Sequence, residues 1–389
     1  MSRKRRGPAP FGVLAVHKPA GPTSHDIVAW VRWGLGTREA GHCGTLDPAA
    51  TGLLLVCVGG ATRLVQLLTA EDKTYDATFV LGSETDTLDA EGEVTRRAPV
   101  DDDAVERARA CVEGLRGAHA LPPPAYSAVK VDGVRAHEAA RRGTPLTLEP
   151  RRMEVYEVSD VVCTRVEGVD GPAEAIRTRL RVRKGTYIRS LAALIGERVG
   201  VPCHLGALDR TACGVADAGD GHVLRPTASA HPADADATAD AGGVLEGGPR
   251  SSGSGSSGSK PRGWRLSLGC DREGQHANML AALMSPWPMV PLPCLAAVEG
   301  PLEAEFVRLA HGQRLGPTSA LGEALRATGL SLGSPEPDQE RANGAHVTPL
   351  EQDPQAVVIG TRVGAELPAA ILVRIEASGR ICPERVIRR

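Results

Sequence analysis

Between Gly41 and Gly52 the chain reads Gly-His-Cys-Gly-Thr-Leu-Asp-Pro-Ala-Ala-Thr-Gly, a stretch dense in glycine that carries one carboxylate, Asp47. A carboxylate on a loop held by ordered neighbours can act as a nucleophile, a general base or an electrostatic partner for developing positive charge. Pro48 steers Asp47 away from helical backbone, and the glycines let a substrate or another strand come close. An Asp-Pro pair is equally a turn or a cap, so local chemistry leaves catalytic and structural readings both open. His42, five residues before Asp47, is likewise either a satisfied loop histidine or a group that meets a ligand.

A second concentration of chemistry lies further on. Arg177, Arg179, Arg181 and Arg183 alternate with Ile176, Thr178, Leu180 and Val182. A period of two predicts a strand with the guanidinium groups on one face and a mostly apolar set on the other. Six basic residues and no acid stand between Glu174 and Glu197. Such a face can simply be solvated, but four arginines without an interleaved acid repel one another, which favours an anionic partner. Arg135, Arg141, Arg142, Arg151 and Arg152 form a smaller group. The formal net charge is −2, so any case for a polyanion rests on distribution rather than on the sum.

The elements that must position these groups follow from hydrophobic patterning. Gly12 to Val16 predicts a short buried strand, and Ser24 can cap a helix carrying Ile27, Val28, Val31 and Leu35 at helical spacing, ending in Gly34 to Gly36. After the Asp47 loop, Leu53 to Val58 is a continuous apolar run suited to a strand covered on both faces. Ala61 to Leu68 predicts one or two helical turns, and Tyr75 to Leu81 another strand. Short strands and helices mixed in this way indicate an α+β or α/β domain.

Composition divides the chain. With 389 residues, 42% of them apolar, it can hold two domains. From Arg225 to about Gly263 the sequence collapses into Ala, Asp, Gly and Ser, a composition that reads as a flexible linker or insert. A smaller domain is expected over 279–389, ending in a hairpin-like pair, Ala369 to Ile375 and Gly379 to Ile387. The polar stretch from Pro317 to Gln355 reads as a loop insertion within it. The nine cysteines contain no Cys-x-x-Cys pair and suit reduced thiols in a cytosol-like compartment, an organelle remaining open if an address was removed upstream. No apolar run of membrane-spanning length occurs in the sequence.

The segment Gly44-Thr-Leu-Asp-Pro-Ala-Ala-Thr-Gly52 resembles the G-x-L-D-P-x-A-x-G motif of the TruB family of pseudouridine synthases. Further similar segments follow in the family's order. Val16-His-Lys-Pro-Ala-Gly21 is similar to D-K-P-x-G, with His17 where the family has Asp. Asp72-Lys-Thr-Tyr75, Leu81 to Asp89, Pro123 to Lys130 with Asp132-Gly133, and Lys184-Gly-Thr-Tyr-Ile-Arg189 complete the set, and the resemblance covers about residues 11 to 215. Ala207-Leu-Asp-Arg210 is similar to Y-L-R-R but departs from it at Ala207 and Asp209.

The resemblance implies an α+β fold, a pseudouridine synthase catalytic domain over 11–224 with a mixed, mainly antiparallel sheet. A small β-rich PUA-like domain for RNA would follow. It implies isomerisation of a T-loop uridine in tRNA, with Asp47 as the catalytic carboxylate that permits cleavage of the N-glycosidic bond, rotation of the base and rejoining through C5. Tyr75 would stack on the base, Arg189 would keep Asp47 ionised, and Tyr187 and Leu208 would line the uracil pocket. His42 would fill the space left by the flipped base, and Lys18 would join the substrate-binding set. Arg177, Arg179, Arg181, Arg183, Arg141 and Arg142 become candidates for the RNA backbone. The chemistry calls for no metal or cofactor, and a cytoplasmic monomer is expected. A guide-RNA-dependent synthase and a catalytically silent RNA-binding or RNA-folding module are the competing readings. Pro123 to Asp132 and Gly133 to Arg141 resemble the stand-alone type, and retention of Asp47, Tyr75 and Arg189 together favours turnover.

Overall fold

A computed structural model describes residues 10–131, 133–168, 171–230, 264–286, 289, 294–296, 301–310, 313–316, 319–327, 356–359, 370–375 and 381–387. Its centre is a nine-stranded sheet. The principal strands are β1 (Gly12–Lys18), β2 (Ala40–His42), β3 (Thr51–Val58), β4 (Lys73–Leu81), β5 (Gly117–Leu121), β6 (Arg151–Gly168), β7 (Gly171–Val182) and β8 (Cys203–Cys213). They lie in the order β1-β3-β8-β4-β7-β6-β5, with β2 beside β3 and the short Ala216–Asp217 strand beside β8. Every pairing is antiparallel except β3 with β8, which run parallel over only two residue pairs, Thr51 with Asp209 and Gly52 with Arg210. Gly52 is required there. Its φ is +104°, and a Cβ on it would stand 2.4 Å from the Arg210 backbone.

Alternation assigns the two faces. Leu14 and Val16 on β1, Leu54 and Val56 on β3 and Phe79 on β4 join one core with helices α1 (Ser24–Leu35), α3 (Asp102–Glu113) and α5 (Ile188–Val199). Val13, Ala15, Leu53, Leu55 and Cys57 point the other way, onto Leu64, Leu68 and the C-terminal residues Ala370, Leu372 and Ile387. Strand β3 is therefore covered on both sides, as its unbroken apolar run predicts. The turns expected over Ala61 to Leu68 are a 3-10 helix at Gly59–Leu64 followed by α2 (Val65–Thr69).

Helix α1 begins one residue earlier in its capping than the sequence suggests. Thr23, not Ser24, is the N-cap, in a capping box with Asp26, and left-handed Gly36 closes the far end. Ser24 is free for a different task, described below.

Three expected boundaries shift. Thr227–Ala230, at the start of the expected linker, pairs antiparallel with Trp264–Ser267; the remainder of that stretch, 231–263, lies outside the described residues. Helix α6 (Arg272–Ala281) packs on α1, Trp30 Nε1 donating to Gln275 Oε1 at 3.0 Å, and Met279 is wholly buried in the first core. The residues around 279 thus pack with the first core rather than opening a second unit. Within the expected insertion at 317–355, Ala320–Ala327 is a helix whose Leu321 and Leu325 are buried against Phe306 and Leu309. An apolar pair four residues apart outweighed the loop-like composition around it. Residues 328–355 lie outside the described residues. The closing pair forms as expected, Ala370–Ile375 against Ile381–Ile387, within a four-stranded sheet.

Candidate active site

The Asp47 loop is held residue by residue. Arg210, 1% exposed, donates from Nη2 to the Gly44 carbonyl at 3.2 Å, and its Nη1 to the Thr45 carbonyl at 3.4 Å. The Ser24 hydroxyl accepts from the Leu46 N–H at 2.9 Å and donates to its carbonyl at 3.1 Å. The Pro48 carbonyl accepts from Lys18 Nζ at 2.9 Å and from the Gly21 N–H at 2.8 Å. A helix, two strands and the loop after β1 therefore fix the backbone on both sides of Asp47, leaving its side chain to point into the site.

That side chain meets Arg189 on the first turn of α5, Oδ2 to Nη2 at 2.9 Å. Arg189 is 6% exposed, and both its terminal nitrogens are engaged. Nη2 also donates to the Tyr126 carbonyl at 3.0 Å, and Nη1 donates to the Thr87 carbonyl at 3.2 Å and lies 3.4 Å from Asp89 Oδ2. Asp47 keeps 37% of its side-chain surface open, so a substrate can reach the carboxylate while the guanidinium behind it stays dry. Burial pushes the Asp47 carboxyl above its ordinary range, Arg189 pulls it back, and Asp89 adds to the push.

Two tyrosines flank this pair. Tyr75 stands on β4, 8% exposed, between Leu180 of β7 and Arg210 of β8 in cross-strand register. Burial raises its phenol and the Arg210 charge opposes the shift. Tyr187, the N-cap residue of α5, is half-buried beside Val129, Ala136 and Leu148; burial raises it too, against Arg151 and Arg189. Leu208 is half-buried and packs on the same core as Tyr75. His42 closes the far side of the loop, its ring edge-on to His25 at 5.1 Å between centroids. Its Nδ1 is buried without a hydrogen-bond partner, and burial, His25 and Arg210 lower the imidazole to about 4.

Two groups of expected site residues take other roles. Lys18 is wholly buried and donates to the carbonyls of Pro19, Pro22 and Pro48 at 2.8 to 2.9 Å. It has no donor left for a substrate and serves as a brace under the Asp47 loop. The arginine strand forms as β7, but Arg179, Arg181 and Arg183 meet carboxylates from neighbouring segments. Arg179 makes a bidentate pair with Asp76 at 2.7 and 3.0 Å, Arg181 meets Glu157 at 3.4 Å and Asp72 at 3.7 Å, and Arg183 reaches Glu154 at 3.9 Å. The acids come from β4, β6 and the turn before β4, so the absence of acids between Arg177 and Arg183 said nothing about repulsion. Tyr75 pairs with Leu180, which puts Arg177, Arg179 and Arg181 on the face of the sheet turned away from Tyr75. Arg141 and Arg142, exposed at the end of the short helix α4 (Ala136–Arg141), stand instead on the segment that packs against Tyr187.

Asp89 and Arg210 were not assigned roles from sequence, and Ser24 was assigned only the helix cap that Thr23 supplies. Asp89 and Arg210 sit inside the matching segments, so the motifs flagged them without saying what they touch. Nothing in the sequence around Ser24 points to Leu46. Among the described residues no cluster of three or more His, Cys, Asp or Glu could hold a metal ion, and no helix is long and apolar enough to cross a membrane.

The N-terminal domain model of the TruB family of pseudouridylate synthases matches residues 32–188. The tRNA pseudouridine synthase B of Thermobifida fusca (strain YX) is 47% identical over 203 residues, 52% of this chain and 69% of that protein. The tRNA pseudouridine synthase B of Geobacillus kaustophilus (strain HTA426) is 44% identical over 205 residues, 52% of this chain and 71% of that protein. Among solved structures, a Cbf5-Nop10-Gar1 complex overlaps 55% of this chain and 52% of that chain at 32% identity, with a TM-score of 0.40, too loose a superposition to bear on the geometry above.

Proposed function

Since this chain belongs to the TruB family of pseudouridylate synthases, we propose that it isomerises the T-loop uridine of tRNA, with Asp47 as the catalytic carboxylate. The observation that carries the assignment to Asp47 is its contact with Arg189: an accessible carboxylate, on a backbone fixed at every neighbouring residue, backed by a buried cation. Uridine isomerisation breaks the bond between C1′ and N1, turns the base and joins C1′ to C5, with the C5 proton released and N1 gaining one. A preorganised carboxylate at the broken bond needs no outside oxidant or reductant for this. Tyr75 supplies an aromatic wall and Tyr187 a second one, while His42 occupies the gap left in the RNA stack. Extruding the base costs a few kcal/mol, which contacts elsewhere must offset. Arg141 and Arg142, exposed beside the Tyr187 segment, are the backbone contacts best placed for that work, and the C-terminal four-stranded sheet takes the part of the PUA-like RNA module.

The test is pseudouridine mapping on unmodified tRNA and on an isolated T-stem-loop, without guide RNA, with the wild type and Asp47→Asn side by side. Conversion of the T-loop uridine by the wild type alone supports the reading. Binding without conversion by either protein overturns it in favour of an RNA-binding module or a guide-dependent enzyme.

A further inference from the structure

The two positions at which this chain departs most in charge from the motifs it resembles, His17 and Asp209, are far apart in sequence and meet in space. His17 Nε2 lies 3.4 Å from Asp209 Oδ1, and the same oxygen accepts the Thr51 hydroxyl. The three side chains belong to β1, β3 and β8, consecutive neighbours in the sheet, and they stand on the face away from Tyr75, since Asp209 pairs with Asp76. Asp209 thus reaches across β3 to β1. Hydrogen bonds from His17 and Thr51 hold its carboxyl below the usual range, and Arg225 adds to the effect. Arg179, held by Asp76 beside Asp209 on β4, and Asp217 also stand around this cluster.

Its location matters because of what each residue adjoins. Thr51 ends the Asp47 loop, Lys18 next to His17 holds the Pro48 carbonyl, and Leu208 and Arg210 flank Asp209. Arg210 grips the start of the loop. Meanwhile the backbone gives β3 and β8 only two paired residues at this point. A side-chain bond across three strands supplies what that short ladder lacks.

We propose that His17, Thr51 and Asp209 form a cross-strand tie that positions the Asp47 loop, an exchanged-polarity pair in which a base on β1 and an acid on β8 replace the acid and base of the motifs this chain resembles. These are positioning residues, not catalytic ones: they touch no reacting atom. As a contributor to turnover the tie rests on the function proposed above; as a structural device it does not.

The experiment compares His17→Asp, Asp209→Arg and the double variant His17→Asp/Asp209→Arg with the wild type. Hydrogen exchange of the 44–56 backbone and single-turnover conversion of a T-stem-loop are measured alongside RNA affinity and the melting temperature. His17→Asp sets two carboxylates together and Asp209→Arg sets a guanidinium against His17 and Arg225. Each single variant should exchange faster in 44–56 and react about tenfold more slowly with RNA affinity unchanged, and the double variant should recover both to within about threefold. Additive losses, or exchange in 44–56 that no variant alters, would overturn the tie. A melting temperature that falls while rate and loop exchange stay put would reduce it to a general stabiliser. If the wild type converts no T-loop uridine, the functional reading fails, and the exchange measurement still decides whether the tie exists.

Discussion

Asp47 Oδ2 lies 2.9 Å from Arg189 Nη2, and the two differ sharply in exposure: 37% of the Asp47 side chain is open against 7% of Arg189. One partner opens to the surface and the other faces the protein interior. Asp47→Asn keeps the shape and loses the charge and the nucleophile. The expected result is a loss in single-turnover rate on the order of 10³-fold or more, with RNA affinity nearly unchanged. Rapid-quench pseudouridine assays with a filter-binding titration check both halves. Retained turnover would remove Asp47 from the mechanism.

Removing the cation should move the acid side of the pH profile. Burial already raises the Asp47 carboxyl above its ordinary value of 3.8, and Arg189 is the largest opposing influence. In Arg189→Gln that opposition is gone, so Asp47 takes up its proton at a higher pH. As pH is lowered from neutrality, activity should therefore fall earlier than in the wild type, along with a drop of about 10²-fold at the optimum. Single-turnover rates from pH 5 upward measure the shift. An acid limb in the same place would mean that Asp47 ionisation is set elsewhere.

Lys18 gives a stability prediction where the motif alone suggests binding. In Lys18→Met the carbonyls of Pro19 and Pro22 would lose this donor, and that of Pro48 would keep only the Gly21 N–H. Orphaned buried groups cost about 1–3 kcal/mol each, so denaturant unfolding should show a loss of about 3 kcal/mol or more. RNA affinity measured on the folded fraction should be close to that of the wild type. A large loss of affinity with stability intact would return Lys18 to the substrate contacts.

What could be read from the sequence and what could not divides by range. Strand β3, helix α1 and the closing hairpin follow from local periodicity, because burial of one face or both repeats with the element's own period. The Asp47 loop stood out as a candidate site because glycine, proline and a carboxylate coincide there, and the motifs supplied the roles proposed for Tyr75 and Arg189. Arg179 misled because its partner Asp76 is 103 residues away, brought alongside by β4 pairing with β7. Local charge counting cannot see a neighbouring strand. Asp89, Ser24 and Arg210 were missed as positioning groups for the same reason: each acts on a residue that only the tertiary fold brings near. Composition erred in the opposite direction at Leu321 and Leu325, where two apolar residues were enough to fold a helix within a polar stretch.

His42 should make the fold acid-sensitive. Its imidazole is lowered to about 4 in the folded chain, against an ordinary value of 6.5. Between those values the unfolded chain binds a proton that the folded chain refuses, so stability rises with pH across the window and is lost as pH falls from 6.5 towards 4. His42→Gln cannot take up that proton. Melting temperatures followed from pH 7 to pH 4 should decline less steeply in His42→Gln than in the wild type, and parallel declines would count against a neutral, half-buried His42.

The last prediction separates the two arginine groups. Arg179 and Arg181 are exposed, paired with acids and turned away from Tyr75, whereas Arg141 and Arg142 are exposed on the segment beside Tyr187. A guanidinium held by a carboxylate neutralises no phosphate, so it displaces none of the counterions condensed on the RNA. Arg179→Ala and Arg181→Ala should therefore leave RNA affinity within about twofold, and cost about 1 kcal/mol or less in stability, as exposed pairs do. Arg141→Ala and Arg142→Ala should each weaken T-stem-loop binding and lower the slope of log Kd against log salt by roughly 1. Titrations at several salt concentrations distinguish the groups directly. A reduced salt slope in the Arg179 and Arg181 variants would mean that RNA displaces Asp76 and Glu157 and that the back of the sheet is a binding face after all.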